Sequence, residues 1–163
     1  MEGTPIGRTS IYVARKSDEY TIVVDTHGKL RWQADEADGH PLLCIVSEEV
    51  PEAYLETLRQ QGISWIAAGK GRIDLPKAME ALSEHFGVKR LAIVGGGHIC
   101  GGFLEAGLID EVSIMVAPGI DGRKGQTAVF DGITDMGCNP FRLKLESVEQ
   151  WPTDIVWLRY KMK

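Results

Sequence analysis

From residue 41 onward, the apolar positions of this chain fall alternately into short continuous runs and helical stripes. Leu42-Leu43-Cys44-Ile45-Val46 is an unbroken apolar run, which predicts a strand buried on both faces. A helix is predicted from about Pro51, with Tyr54, Leu55 and Leu58 on one stripe and Gly62 as its stop. Residues 63–68 read as the next strand. Asp74 is placed to cap a second helix whose stripe is Leu75, Met79, Leu82 and Phe86, with Gly87 ending it. A third strand is predicted over 90–94, followed by a triple-glycine turn, a helix ended by Gly107 and a fourth strand over 112–116.

Strands alternating with helices at this spacing imply right-handed crossovers and a parallel sheet. Ligands bind such sheets beyond the carboxyl ends of the strands. Here those ends are Ser47-Glu48, Ala68-Gly69-Lys70-Gly71 and Gly95-Gly96-Gly97, expected to open on one edge. Residues 117–140 show no period and read as a long loop, uncommon unless it serves function or an interface. Residues 141–148 alternate apolar and polar, 155–160 do so less strictly, and Trp151-Pro152-Thr153-Asp154 turns between them. This predicts an antiparallel hairpin added to the edge of the parallel sheet.

Residues 1–40 are the least regular, with a strand over 20–25, a second candidate at 10–13 and a turn at His27-Gly28-Lys29. The expectation is one three-layer α/β/α domain over 1–163. Its parts are an irregular 1–40, parallel βαβ units over 41–116 and a hairpin over 141–163.

The 163 residues suit one domain, and 44% hydrophobic with 25% charged residues is ordinary for a globular protein. A net charge of −5 argues against a general nucleic-acid binder. No apolar run approaches the ~20 residues of a membrane helix, and no signal-peptide pattern opens the chain, so no membrane partner and a cytoplasmic location are expected. The three cysteines, Cys44, Cys100 and Cys138, show no disulfide pattern and fit a reducing compartment. Cys44 reads as a small core residue, whereas Cys100 suits either a ligand contact or packing. His27, His40, His85 and His98 are scattered, and no metal site is predicted.

The turn at Gly95-Gly96-Gly97 removes every Cβ where the chain bends into a helix. Backbone N–H groups can then approach a phosphate at the helix N-terminus, where the dipole favours negative charge. A tight structural turn is the other reading. Counted from Gly95, a dinucleotide fingerprint needs Gly at position 100, which is Cys, and Gly101-Gly102-Phe103 lacks the lysine of a phosphate loop.

The segments Asp25-Thr26-His27-Gly28-Lys29-Leu30-Arg31-Trp32 and Gly69-Lys70-Gly71-Arg72-Ile73-Asp74-Leu75 carry a family resemblance. So do the triple glycine, Phe103-Leu104-Glu105-Ala106-Gly107-Leu108-Ile109-Asp110-Glu111 and Val116-Ala117-Pro118-Gly119-Ile120-Asp121-Gly122. From about residue 20 the chain resembles the riboflavin-biosynthesis pyrimidine reductases, which form the C-terminal domain of the bifunctional deaminase/reductase. The resemblance implies a dihydrofolate-reductase-like fold and an NADPH-dependent reductase. Its small-molecule substrate would be a phosphorylated aminopyrimidine ribose, as in the 5-amino-6-(5-phosphoribosylamino)uracil reductases. It implies that Ser47, Gly69, Lys70 and the residues Gly95, Gly96, Gly97, His98, Ile99 and Cys100 hold the cofactor. Lys70 or Arg72 would pair with the ribose 2′-phosphate or else remain a solvated loop charge. A homodimer is also expected: relatives are usually dimeric, and the hairpin carries Phe141, Leu143, Leu145, Trp157, Leu158 and Tyr160.

The chain departs from the family in two places. Val94 stands where the family carries a glutamate that contacts substrate, and the catalytic residues are left unassigned. The family's opening strand with a Ser-Leu-Asp-Gly-like segment, and its second strand ending in Gly-Arg-x-Thr, have no match here. Three explanations stay open: the chain is a fragment of a longer reductase, residues 8–14 fill the gap, or another chain does. The competing functions are a non-catalytic nucleotide-binding or assembly domain that kept this fold, and an unrelated doubly wound domain.

Overall fold

The computed structural model describes residues 3–126, 128–134, 137 and 140–163. The chain packs as two compact units, one up to Leu91 and one from Ala92 on.

The first unit is a sandwich of two helices about one sheet. Its strands are β1 (Ser10–Tyr12), β2 (Thr21–Val24), the two-residue β3 (Glu36–Ala37), β4 (His40–Val46) and β5 (Ser64–Ala67). The order across the sheet is β1-β5-β4-β2, with β3 on the start of β4. β2, β4 and β5 are mutually parallel, and β1 and β3 are antiparallel to their neighbours. Alternate residues of β4 and β5 feed two cores. Leu42, Cys44, Val46, Trp65 and Ala67 meet Tyr54, Leu55 and Leu58 of α1 (Glu52–Gln60). Leu43, Ile45, Ile66 and Ala68 meet Ala78, Ala81, Leu82 and Phe86 of α2 (Leu75–Phe86) on the other face. The continuous apolar run is thus explained: both of its faces are covered.

The predicted helix ends hold. The Asp74 side chain accepts the N–H of Lys77, and Gly87 closes α2 at φ 72°. β1 is fastened to the sheet by a stack in which the rings of Tyr12 and Trp65 lie 4.5 Å apart. The Arg59 guanidinium sits 5.0 Å from the Tyr12 ring and 5.4 Å from that of Trp65, and Trp65 Nε1 donates to Ser10 Oγ at 3.1 Å.

The second unit holds α3 (Gly97–Glu105) and a three-stranded antiparallel sheet of β6 (Glu111–Val116), β7 (Leu143–Gln150) and β8 (Val156–Met162), in the order β6-β8-β7. A register shift between Leu145 and Ser147 marks a bulge in β7. It returns Val148 to the face of Leu143 and Leu145, although the sequence spacing switches from odd to even positions.

Three expectations are corrected. No strand forms over 90–94, and Val94 is 94% exposed. An apolar run becomes a strand only when a neighbour takes its N–H and C=O groups, and among the described residues none pairs with it as a strand. β6 pairs antiparallel with β8, so the parallel sheet ends at β5 and the βαβ pattern does not extend to residue 116. The hairpin therefore joins β6, not the edge of the parallel sheet. Residues 10–12 do form a strand, and they pair with β5.

Candidate functional site

In the first unit, the carboxyl ends of β2, β4 and β5 share one edge, as parallel pairing requires. The loop after β2 is pinned by Asp25, whose carboxylate accepts the N–H groups of Lys29 and Leu30 at 3.0 and 2.9 Å. Tyr54 donates its hydroxyl to the same carboxylate at 2.8 Å and accepts from Trp32 Nε1 at 2.9 Å. Gly28 fits only because it lacks a side chain: φ is +63°, and a Cβ there would stand 2.9 Å from the Tyr54 ring. Burial, helped by the nearby Asp25 carboxylate, pushes the Cys44 thiol up to about 12, and burial likewise raises the Tyr54 hydroxyl. Cys44 is a core residue, as its place in the apolar run predicted.

Ser47 is fully buried. Its hydroxyl donates to the carbonyl of Thr26 at 2.7 Å and accepts the N–H of Glu49 at 3.3 Å. This side chain ties the β2 loop to the end of β4. Glu48 follows it, buried to 8% exposure, with Oε1 accepting from Thr9 Oγ1 at 2.8 Å and from the N–H of Gly69 at 3.3 Å. Gly69 has φ +86°, and a Cβ there would strike the Arg72 carbonyl and lie 2.5 Å from the Asp74 nitrogen. Beyond it Lys70 and Arg72 are exposed on a tight turn, where the Arg72 N–H donates to the Lys70 carbonyl at 2.8 Å. The structure therefore brings Ser47, Glu48 and Gly69 together. Sequence reading marked Glu48 only as a strand end, and nothing in its spacing announced the partners Thr9 and Gly69.

In the second unit the triple glycine divides into two kinds. Gly95 meets nothing within 4 Å of a built Cβ, and Gly96, at φ +62°, meets only Ile99 at 4.0 Å. Gly97 and Gly101 lie beneath the loop 128–132. A Cβ on Gly97 would lie 2.5 Å from the Ala128 carbonyl oxygen, and one on Gly101 would strike that of Asp131. The N–H of Asp131 donates to the Gly97 carbonyl at 2.9 Å, and His98 Nδ1 stands 3.5 Å from Asp131 Oδ2. Among the described residues no side chain caps α3, and the N–H groups of its first turn have no partner within the helix. Ile99 is exposed beside this end, and the half-buried Cys100 rests its sulfur 4.0 Å from the Gly95 carbonyl. Cys138 lies outside the described residues. Open space beside an uncapped helix start fits a phosphate group. Among the described residues, no group of three His, Cys, Asp or Glu side chains is arranged to hold a metal ion. No helix among them is long and apolar enough to cross a membrane.

Comparison with known proteins gives a consistent picture. The family model of the RibD C-terminal domain matches residues 11–157. The chain is 31% identical over 128 residues to the 2,5-diamino-6-ribosylamino-4(3H)-pyrimidinone 5′-phosphate reductase of Methanothermobacter thermautotrophicus, a match spanning 77% of this chain and 57% of that protein. Among solved structures, a pyrimidine reductase-like protein of Corynebacterium diphtheriae superposes with a TM-score of 0.72 at 20% identity, over 88% of this chain and 61% of that one. RibD of Acinetobacter baumannii superposes with a TM-score of 0.67 at 24% identity, over 87% and 37%. These likenesses show the α/β fold of the RibD reductases. The chain spans less than two thirds of the length of each of these relatives.

Proposed function

Because the chain belongs to the RibD C-terminal domain family, we propose that it is an NADPH-dependent reductase of the 5-amino-6-(5-phosphoribosylamino)uracil reductase type, acting in riboflavin biosynthesis. The observation that carries this reading is the open face of Gly95 and Gly96 at the uncapped start of α3. There the first-turn N–H groups would face a pyrophosphate. Lys70 and Arg72, exposed on the turn after β5, are the cations proposed to meet a 2′-phosphate. NADPH, when bound, supplies the hydride, and the protein's task is to position the two ligands. Ser47 serves this indirectly, by fixing the loop after β2, since its hydroxyl is already committed to Thr26 and Glu49.

A second reading is favoured by Val94. Its exposed side chain carries no oxygen or nitrogen to offer a substrate, which suits a domain that binds the nucleotide and performs no reduction. Incubation with NADPH and a phosphorylated aminopyrimidine ribose separates the two. Oxidation of NADPH in proportion to ribityl product supports the reductase; saturable NADPH binding with no oxidation supports the binding domain.

The proposed partner is a second copy of the chain. Val116, Leu143, Leu145 and Val148 are exposed on the same face of the β6-β8-β7 sheet, which also carries Leu158 and Tyr160. Trp157 points to the other face, where Arg159 stacks on it at 4.7 Å, so it does not join that patch. A cytoplasmic setting is proposed on the free thiols of Cys44 and Cys100.

A further inference from the structure

We propose that Glu48 is a positioning residue for the loop 69–72, holding Gly69 from both sides and tying it to the N-terminal segment 6–9. The proposal rests on the reading above, in which Lys70 and Arg72 meet a 2′-phosphate.

The geometry is a reciprocal clasp. The Glu48 N–H donates to the Gly69 carbonyl at 2.7 Å, while the Glu48 carboxylate accepts the Gly69 N–H at 3.3 Å. Both polar groups of one glycine are thus taken by one residue of the neighbouring strand end. The same Oε1 accepts from Thr9 Oγ1 at 2.8 Å, and Lys77 Nζ lies 3.9 Å from it and 2.5 Å from Thr9 Oγ1. The Glu48 carbonyl in turn accepts the N–H of Gly7 at 2.9 Å, beside the Ile6 N–H on the Val50 carbonyl at 3.1 Å. One buried carboxylate therefore joins the N-terminal segment, the end of β4, the loop after β5 and the first turns of α2. A buried acid is stable only when its oxygens are satisfied in this way.

The loop it holds is short and internally bonded. Gly69, at φ +86°, has no room for a side chain beside the Arg72 carbonyl and the Asp74 nitrogen, and the Asp74 N–H donates to the Ala68 carbonyl at 3.1 Å. The Arg72 N–H is also on the Lys70 carbonyl, so Gly69 directly precedes a closed turn that carries both cations, and its placement sets where that turn starts. Loss of the carboxylate also removes the charge that stands 3.9 Å from the Lys77 ammonium. A residue that only stabilised the fold would weaken every nucleotide equally. One that sets the placement of Lys70 and Arg72 acts on the nucleotide bearing the 2′-phosphate.

The test compares Glu48→Ala and Glu48→Gln by dissociation constants for NADPH and NADH and by amide exchange at Gly69, on variants whose thermal melts show them folded. Glu48→Ala is expected to weaken NADPH by about tenfold and NADH by less than about twofold, the scale of one lost charged hydrogen bond. Exchange at Gly69 should accelerate in the same variant. Glu48→Gln keeps an acceptor oxygen and should recover most of both effects. Equal weakening of the two nucleotides, or unchanged NADPH affinity with accelerated exchange, overturns the positioning role while leaving the reductase reading intact. Unchanged exchange at Gly69 overturns the clasp itself. Should the wild-type protein bind neither nucleotide, the reductase reading falls and takes the nucleotide part of this proposal with it. If the alanine variant does not fold, Thr9→Val removes a single donor to Glu48. It should weaken NADPH selectively by about threefold, and no selective change there would overturn the link to the N-terminal segment.

Discussion

The carbonyl of Asp131 occupies the place where a Cβ on Gly101 would stand. Gly101 is thus a glycine because the loop 128–132 passes directly over it, whereas Gly95 faces open space. Gly101→Ala should lower stability by about 1–3 kcal/mol through overpacking, and Gly95→Ala by well under 1 kcal/mol. Thermal melts of the two variants check this. Equal melting temperatures would mean that the loop yields to a methyl group.

Removing the Tyr54 hydroxyl should be costly for its size. The hydroxyl donates to Asp25 and accepts from Trp32, so Tyr54→Phe leaves a buried carboxylate oxygen and an indole N–H each short of a partner. The expected loss is about 1–3 kcal/mol in a denaturant melt. A loss below about 0.5 kcal/mol would show that water replaces the hydroxyl without penalty.

What the sequence made legible, and what it did not, follows from the range of the interactions involved. The strands and helices of 40–87 could be read because each is set by a local period, a cap or a stop, such as Asp74 and Gly87 about α2. The strand expected over 90–94 does not form, because an apolar run reports a capacity for burial and says nothing about who supplies the ladder. The bulge beyond Leu145 escaped for a related reason: the parity change from Leu145 to Val148 looks like a fading pattern until the pairing with Leu158 is known. In the candidate site, the open Gly95 and Gly96 follow from turn chemistry, whereas Lys70 and Arg72 are singled out by the family resemblance. That the Ser47 hydroxyl is committed within the protein, and that Glu48 does more than end a strand, is not legible locally, because their partners Thr26, Thr9 and Gly69 are 21 to 39 residues away.

Alkaline pH should destabilise the first unit in two stages. Cys44 titrates at about 12 when folded, against 9.0 when exposed, so its contribution is complete below pH 9 and declines as pH rises towards 12. Tyr54, also raised, adds a second decline starting above pH 10. Denaturant melts at pH 8, 9.5 and 10.5 should show stability falling along the series, and Cys44→Ala should flatten the first step. A flat profile in the wild-type protein would contradict the burial of both groups.

The exposed face of Val116, Leu143, Leu145 and Val148 predicts a dimer. Sedimentation at low micromolar concentration should give one species near twice the 17.9 kDa of the chain. Val148→Lys, at the most exposed of these positions, should shift it towards the monomer. A single species at the mass of one chain would contradict the proposed partner.

The central claim is that the glycine turn at the start of α3 receives the phosphates of NADPH, and titration of NADPH into the protein tests it most directly. Fluorescence of the four tryptophans gives the signal. A saturable change is expected in the wild-type protein and its loss in Gly96→Val, because a branched side chain at φ +62° would stand in the open face of the turn. Absence of saturable binding at millimolar NADPH, or unaltered affinity in folded Gly96→Val, would contradict it.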